Sequence, residues 1–202
     1  MSPSPAFALL TIGHSNQPAD RFVELIKGAA VSAVADVRSV PFSRFCPWFT
    51  AKPLAERLAR EGIAYLPFGA ALGGRPREGA LYRDGVIDYE AVAATPEFRA
   101  GLDRLIEEAG RNSVAVMCAE REPLDCHRFL LVSRALAERG LAPGHILGDG
   151  RIESQRATEE RLLALAGGAP DFIRDEGQRL ADAYRRRARS VGARLKPRAG
   201  SA

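Results

Sequence analysis

Long apolar runs are missing from this 202-residue chain. None reaches the roughly 18–20 residues that span a bilayer, so no membrane partner is expected. The opening Met1-Ser2-Pro3-Ser4-Pro5 has neither the basic nor the apolar part of a secretory signal. Cysteine is scarce: three residues, an odd number that argues against a disulfide framework. A reducing, cytoplasmic setting is the simplest expectation. There is no Walker loop, and no Gly-x-Gly-x-x-Gly follows the first apolar run, so ATP and dinucleotides have no motif support and no cofactor is assigned.

Lysine is almost absent, supplying three of the 29 basic residues. Arginine enrichment is therefore general, and an arginine run says less here than it would elsewhere. Even so, Arg179 to Arg198 holds eight basic residues against Asp182 alone, a local +7 in a chain of net +4 that leaves the remainder at −3. Such a tail suits nucleic acid or an acidic surface, or is simply a solvated helix end. The oligomeric state is not legible.

What is present is an alternation of short apolar runs with amphipathic stretches, the pattern of a parallel sheet with crossover helices. Apolar runs at 7–12, 31–37, 63–68, 113–117 and 145–147 predict an α/β fold: an open, mostly parallel sheet of about five strands with helices on both faces, plus C-terminal helices. The organisation expected is an α/β domain over 1–150, a helical appendage over 151–190 and a disordered basic tail over 191–202. The glycine-rich stretch from Gly69 to Thr95 reads as a long loop, and its part from Leu72 to Gly85 as a lid.

In such sheets ligands bind beyond the carboxyl ends of the strands. His14 follows the first strand, Asp36 and Arg38 end the second, Cys118 and Glu120 follow the fourth, and Asp149 the fifth. Cys118 is either a small buried hydrophobe or a nucleophile whose thiol pKa is lowered by a helix start and nearby arginine. Cys126-His127-Arg128 is expected to open an α-helix, where unpaired N–H groups favour an anion. Arg128 there suits a phosphate or carboxylate, or an ion pair with an acidic neighbour. His127 is a proton carrier or a structural hydrogen-bond partner. Glu120 is a base or the group that orients Arg128. The aromatic loop Pro41 to Trp48 offers Arg44 as an anion contact and Phe42, Phe45 and Trp48 as stacking surfaces or a satellite core.

Two other readings fail on spacing. A cysteine-dependent phosphatase loop would place arginine six positions after Cys118, where Leu124 stands. Zinc could use Cys118, Cys126, His127 and His14, but there is no Cys-x-x-Cys pair and adjacent Cys-His ligands strain tetrahedral geometry, so no metal is assigned.

Thr11-Ile12-Gly13-His14-Ser15, Asp36-Val37-Arg38-Ser39-Val40-Pro41, Leu72-Gly73-Gly74, Met117-Cys118-Ala119-Glu120 through Cys126-His127-Arg128, and His145-Ile146 together resemble the DUF488 family of uncharacterised bacterial and archaeal proteins. The likeness runs from about Leu9 to Asp149. It implies a compact α/β fold and a site at His14, Asp36, Arg38, Cys118, Glu120, Cys126, His127 and Arg128, with no established activity. Three functional expectations follow. The first is an enzyme acting on an anionic, phosphorylated, nucleotide- or nucleic-acid-derived substrate. The second is a noncatalytic nucleotide or nucleic-acid binding module using the same pocket and the basic tail. The third is a structural metal site near Cys118.

Overall fold

The computed structural model describes Phe7, residues 9–167 and residues 175–193. The first half runs β1 (Leu9–Gly13), α1 (Ala19–Gly28), β2 (Ala33–Asp36), α2 (Ala51–Ala59), β3 (Ala64–Pro67) and the single turn α3 (Gly69–Leu72). A small hairpin, β4 (Tyr82–Arg83) and β5 (Val86–Ile87), leads into α4 (Tyr89–Ala93), α5 (Pro96–Ala109) and β6 (Val114–Cys118). A π-helical stretch, Arg128–Ser133, passes into α6 (Arg134–Ala137), followed by β7 (Gly144–Ile146), β8 (Ile152–Ser154), α7 (Gln155–Leu165) and α8 (Glu176–Gly192). Among the described residues no helix is long and apolar enough to cross a membrane.

Six strands form one sheet in the order β3-β2-β6-β1-β7-β8, parallel except for β8, which pairs antiparallel with β7. The five expected strands are present. The sixth, Ile152-Glu153-Ser154, is a short edge strand whose polar composition gives no apolar run.

The central strands are buried on both faces, which is why Val114-Ala115-Val116-Met117 is apolar throughout rather than alternating. Strand pleat still separates the two cores. Val114, Val116 and Cys118 join Phe98, Leu102 and Leu105 of α5, the π-helical residues and Tyr184 of α8 on one side. Ala115 and Met117 join Phe22 and Ile26 of α1 and Leu54 and Leu58 of α2 on the other. Each large apolar side chain sealed this way contributes about 2 kcal/mol. Thr95 caps α5 by accepting from the Phe98 amide at 3.2 Å, worth about 1 kcal/mol.

Two expectations need correction. The stretch from Gly69 to Thr95 is not an open loop: it folds into α3, the β4–β5 hairpin and α4, whose start is capped by Asp88 accepting from the Glu90 and Ala91 amides. The residues after Cys126 do not begin as an α-helix: the first turn and a half is π-helical, with Ser133 Oγ donating to the Arg128 carbonyl at 2.7 Å. That wider winding follows directly on Cys126 and His127, and such bulges often sit at functional sites.

The C-terminal helices are tied to the sheet through β8 and through Gln155 and Tyr184, described below. α8 continues through Gly192, so residues 191 and 192 are helical. Residues 194–202 of the expected tail, and residues 168–174 of the expected appendage, lie outside the described residues. Within α8, Arg185 pairs with Glu90 at 3.3 Å and Arg187 with Asp125 at 2.6 Å. Those two arginines are partnered within the protein, as a solvated helix face with local ion pairs would have them.

Candidate active site

β1, β2 and β6 lie side by side, and their register pairs Gly13 with Cys118 and Asp36 with Met117. The three strands therefore end level. The backbone ladder extends past them, with the His14 amide donating to the Cys118 carbonyl at 2.9 Å and the Val37 amide to the Met117 carbonyl at 3.1 Å. Gly13 makes this possible: a Cβ there would sit 1.8 Å from the Glu120 carbonyl oxygen. Only glycine lets the loop after β6 fold back across β1 and carry Glu120 inward. Beyond these ends lies a pocket of about 380 Å³ lined in part by His14, Arg38, Tyr89, Cys118, Glu120 and His127. That volume suits a small metabolite.

Arg38 is fixed from two sides. Its Nε and Nη2 donate to Asp36 Oδ1 and Oδ2 at 2.9 and 2.6 Å, a two-pronged pair with both side chains buried. Its Nη1 meets His14 Nε2 at 3.1 Å. The arginine can only donate, so His14 Nε2 is the bare nitrogen, and Nδ1 carries the proton that goes to the Ser15 carbonyl at 2.7 Å. Ser15 adopts a left-handed φ of 50°, which turns that carbonyl back onto the ring. Phe49 stacks on the imidazole at 4.2 Å. Burial first, and Arg38 after it, push the His14 pKa down to about 4. His14 is thus a neutral acceptor that aims Arg38, not a proton carrier near neutral pH. Tyr65 donates to Asp36 Oδ2 at 2.7 Å and completes the carboxylate's shell.

The second half of the site is crowded with acids. Cys118 Sγ and Cys126 Sγ each lie 3.0 Å from the same oxygen, Glu120 Oε2. His127 Nδ1 is 3.5 Å from Cys118 Sγ and 4.0 Å from Cys126 Sγ. Its other nitrogen, Nε2, is 3.0 Å from the Val37 carbonyl, which accepts only, so Nε2 bears a proton. Gly74 lies against the imidazole, where a Cβ would come within 2.5 Å of the ring. Three acids and one base share a region in which one ligand atom from each lies within 4.8 Å of the rest.

This crowding splits the two thiols. Burial, then the neighbouring Cys126 sulfur and Glu120, push Cys118 well above the usual thiol range. Burial also acts against the Cys126 thiolate, but the Cys118 thiol, the Arg128 guanidinium and His127 outweigh it and hold that pKa well down. The Arg128 amide adds an N–H 3.4 Å from Cys126 Sγ. Burial, followed by Cys126, raises the Glu120 pKa. Burial opposes the charged form of His127, yet the hydrogen bond and charge of Cys126 prevail and raise it. Of the two readings of Cys118, the lowered thiol pKa is not met, since its pKa is raised; it lines the pocket, whereas the more acidic Cys126 sits behind it.

Several expected site residues act differently. Arg128 has no exposed surface, and its guanidinium donates to the Glu120 and Arg121 carbonyls at 2.5 and 2.8 Å. It clamps the loop rather than opening toward a ligand. The helix start is also engaged, with the Phe129 and Leu130 amides bonded to the Cys126 carbonyl. Arg44 is exposed and does not line the pocket. Asp149 pairs at the surface with Arg151. In the aromatic loop Phe42 is 65% exposed at the pocket rim, while the Trp48 indole donates to the Gln17 carbonyl. Of the four residues weighed for a metal, Cys118, Cys126 and His127 come together, and Glu120 rather than His14 lies with them.

Sequence reasoning missed two residues. Arg75 brings a second guanidinium to the rim. Tyr89, the first residue of α4, lines the pocket with a buried hydroxyl that has no hydrogen-bond partner among the described residues.

A family model described as "Domain of unknown function DUF488" matches residues 18–135. Among curated proteins and solved structures, none matches the chain.

Proposed function

The chain belongs to the DUF488 family, and on that premise we propose that it is an enzyme acting on a small anionic substrate, phosphorylated or nucleotide-derived, in the strand-end pocket. The observation that carries this reading is the convergence of His14, Arg38, Cys118, Glu120 and His127, from three strand ends and the turn after β6, on one cavity. A buried guanidinium held by a carboxylate and an imidazole is costly to maintain for stability alone. Three of the five N–H groups of Arg38 are spent on Asp36 and His14, and two remain for an anion. Arg75 adds charge at the rim, and Phe42 offers a face on which a base can stack. The Cys118, Glu120 and His127 edge supplies the groups that move protons or polarise the substrate.

The rim aromatic also favours the noncatalytic reading, a module that holds a nucleotide without changing it. One experiment separates them. The full chain is titrated with AMP, UMP and inorganic phosphate, and incubated with a panel of phosphomonoesters and nucleotides. Binding with turnover is expected, and Arg38→Gln should weaken AMP by about tenfold or more, the equivalent of one charge-assisted hydrogen bond. Binding without product from any panel member supports the module. No binding of any of the three probes removes the anion pocket altogether.

A further inference from the structure

We infer that Cys118, Cys126 and His127 Nδ1 form a binding site for a thiophilic divalent cation of the zinc class, with Glu120 as the pocket-facing fourth ligand. The inference deepens the proposed function by naming a cofactor for its chemical edge, and it rests on that reading for its purpose but not for its existence.

Metal–sulfur bonds of about 2.3 Å and metal–nitrogen or –oxygen bonds of about 2.1 Å at tetrahedral angles put neighbouring ligand atoms roughly 3.5 Å apart. The two sulfurs lie 3.5 and 4.0 Å from His127 Nδ1 and 3.0 Å from Glu120 Oε2. All four atoms fall within 4.8 Å of one another. The arrangement requires side-chain shifts of about an ångström or less per ligand, not a rebuilt loop.

His127 Nε2 donates to the Val37 carbonyl at 3.0 Å, and Gly74 lies close against the side chain. A backbone acceptor on the far nitrogen is the usual outer contact of a metal-bound histidine, because it fixes the tautomer and aims the lone pair. In the neutral ring that lone pair is on Nδ1, directed at the two sulfurs. The Arg128 amide near Cys126 Sγ supports a thiolate in the same way.

The Tyr89 hydroxyl is buried, lines this pocket and has no hydrogen-bond partner among the described residues. A buried hydroxyl without a hydrogen bond is destabilising by about 1–3 kcal/mol. A water or substrate oxygen on a cation at this cluster would give it one. A cation also resolves the competition of two thiols for one carboxylate oxygen: both sulfurs release their protons and bind as thiolates. Two thiolates, an imidazole and a carboxylate are a donor set suited to zinc rather than magnesium or calcium. Cys118, Glu120 and His127 all border the cavity, but of the four side chains Glu120 alone is not fully buried. Glu120 is therefore the ligand that water or substrate can displace, which leaves three protein ligands and one exchangeable position as in catalytic zinc sites.

The test uses the full chain, prepared metal-free with a non-thiol reductant and titrated with cobalt(II) chloride and then zinc chloride. Expected are thiolate-to-cobalt charge-transfer absorption in the near ultraviolet, intense visible bands of tetrahedral cobalt, one equivalent at saturation, and loss of both on zinc addition. Cys118→Ser and Cys126→Ser should each weaken cobalt by more than the roughly 10–100-fold lost with an outer-shell partner. Cys46→Ser, in the opposite core, should leave the spectrum unchanged. An unaltered far-ultraviolet spectrum of each variant separates ligand loss from unfolding, and the wild-type titration stands without them. Absence of the bands in the wild-type chain, or their persistence in both site serine variants, overturns the inference. Arg38→Gln should keep the cobalt spectrum while losing AMP. Cobalt binding without AMP binding sinks the proposed substrate alone; AMP binding without cobalt binding sinks the metal alone.

Discussion

Two buried polar networks flank β1, and they are built on opposite rules. One joins the sheet to the C-terminal helices. Thr11 Oγ1 meets His145 Nδ1 at 2.8 Å, His145 Nε2 meets Gln155 Oε1 at 2.9 Å, and Gln155 Nε2 donates to the Tyr184 hydroxyl at 2.8 Å and to Glu159 at 2.9 Å. Tyr184 in turn donates to Glu159 at 2.9 Å. Every donor in the chain has an acceptor, and His145 stays neutral. The other network, Cys118–Glu120–Cys126–His127, has more acids than neighbouring charges can settle, and at its edge Tyr89 has no hydrogen-bond partner among the described residues. A closed network specifies a fold. A crowded one facing a cavity is a place where stability has been given up for something else, and that contrast is why only the second is read as a site.

Arg128 gives the largest expected effect, because it supports the crowded network from below. Its removal leaves the Glu120 and Arg121 carbonyls without their charged donor in a fully buried place. Arg128→Met should reduce unfolding free energy by about 4 kcal/mol, two charge-assisted bonds. Arg128→Lys should recover only part, since an ammonium is a point charge and cannot match the planar fork. Urea unfolding of the two variants decides it. A loss under about 1 kcal/mol for the methionine variant would show that the loop holds its shape unaided.

Acid should break the closed network next. Burial first, then the positive charge of Arg128, lower the His145 pKa from 6.5 to about 4; Gln155 and Glu153 act the other way, and Arg161 adds to the lowering. In the unfolded chain this histidine binds its proton near pH 6.5, while the folded protein resists until about pH 4. The unfolded state therefore holds more protons across that window. The contribution is fully present above about pH 6.5 and is lost as pH falls toward 4, at about 3 kcal/mol in total. His145→Gln should flatten the wild-type slope of stability against pH between those limits. An equal slope in both proteins would assign the acid sensitivity elsewhere.

Gln155 is the hub that the sequence did not reveal. β1, β2 and β6 were legible because each is a doubly buried apolar run, and the strand-end location of His14, Asp36, Arg38, Cys118 and Glu120 followed from that. β8 was not legible, because three residues with a central Glu carry no period. Gln155 reads as an ordinary first-turn helical residue, yet it is 2% exposed and ties β7 to α8. Tyr89 and Arg128 were opaque for a related reason: whether a polar atom has a partner depends on chain segments far away in sequence. Gln155→Leu should cost about 2 kcal/mol by leaving the His145 N–H and Tyr184 oxygen short of partners. A neutral result would mean that water takes the amide's place.

The smallest stability effect is expected where the chemistry is most concentrated. Glu120→Gln keeps the shape of the side chain and removes one acid from the region shared with two thiols. In the metal-free protein the carboxylate's charge is opposed by burial and by the neighbouring Cys126, so its loss should leave unfolding free energy within about 1 kcal/mol of wild type or raise it. Gln155→Leu, at a more deeply buried site with no surplus charge, should lose about 2 kcal/mol. Urea unfolding of the two metal-free variants side by side measures the contrast. If Glu120→Gln proves the more damaging of the two, the carboxylate is a structural support of the β6 loop, and the crowding around it ceases to be evidence that stability has been traded for chemistry.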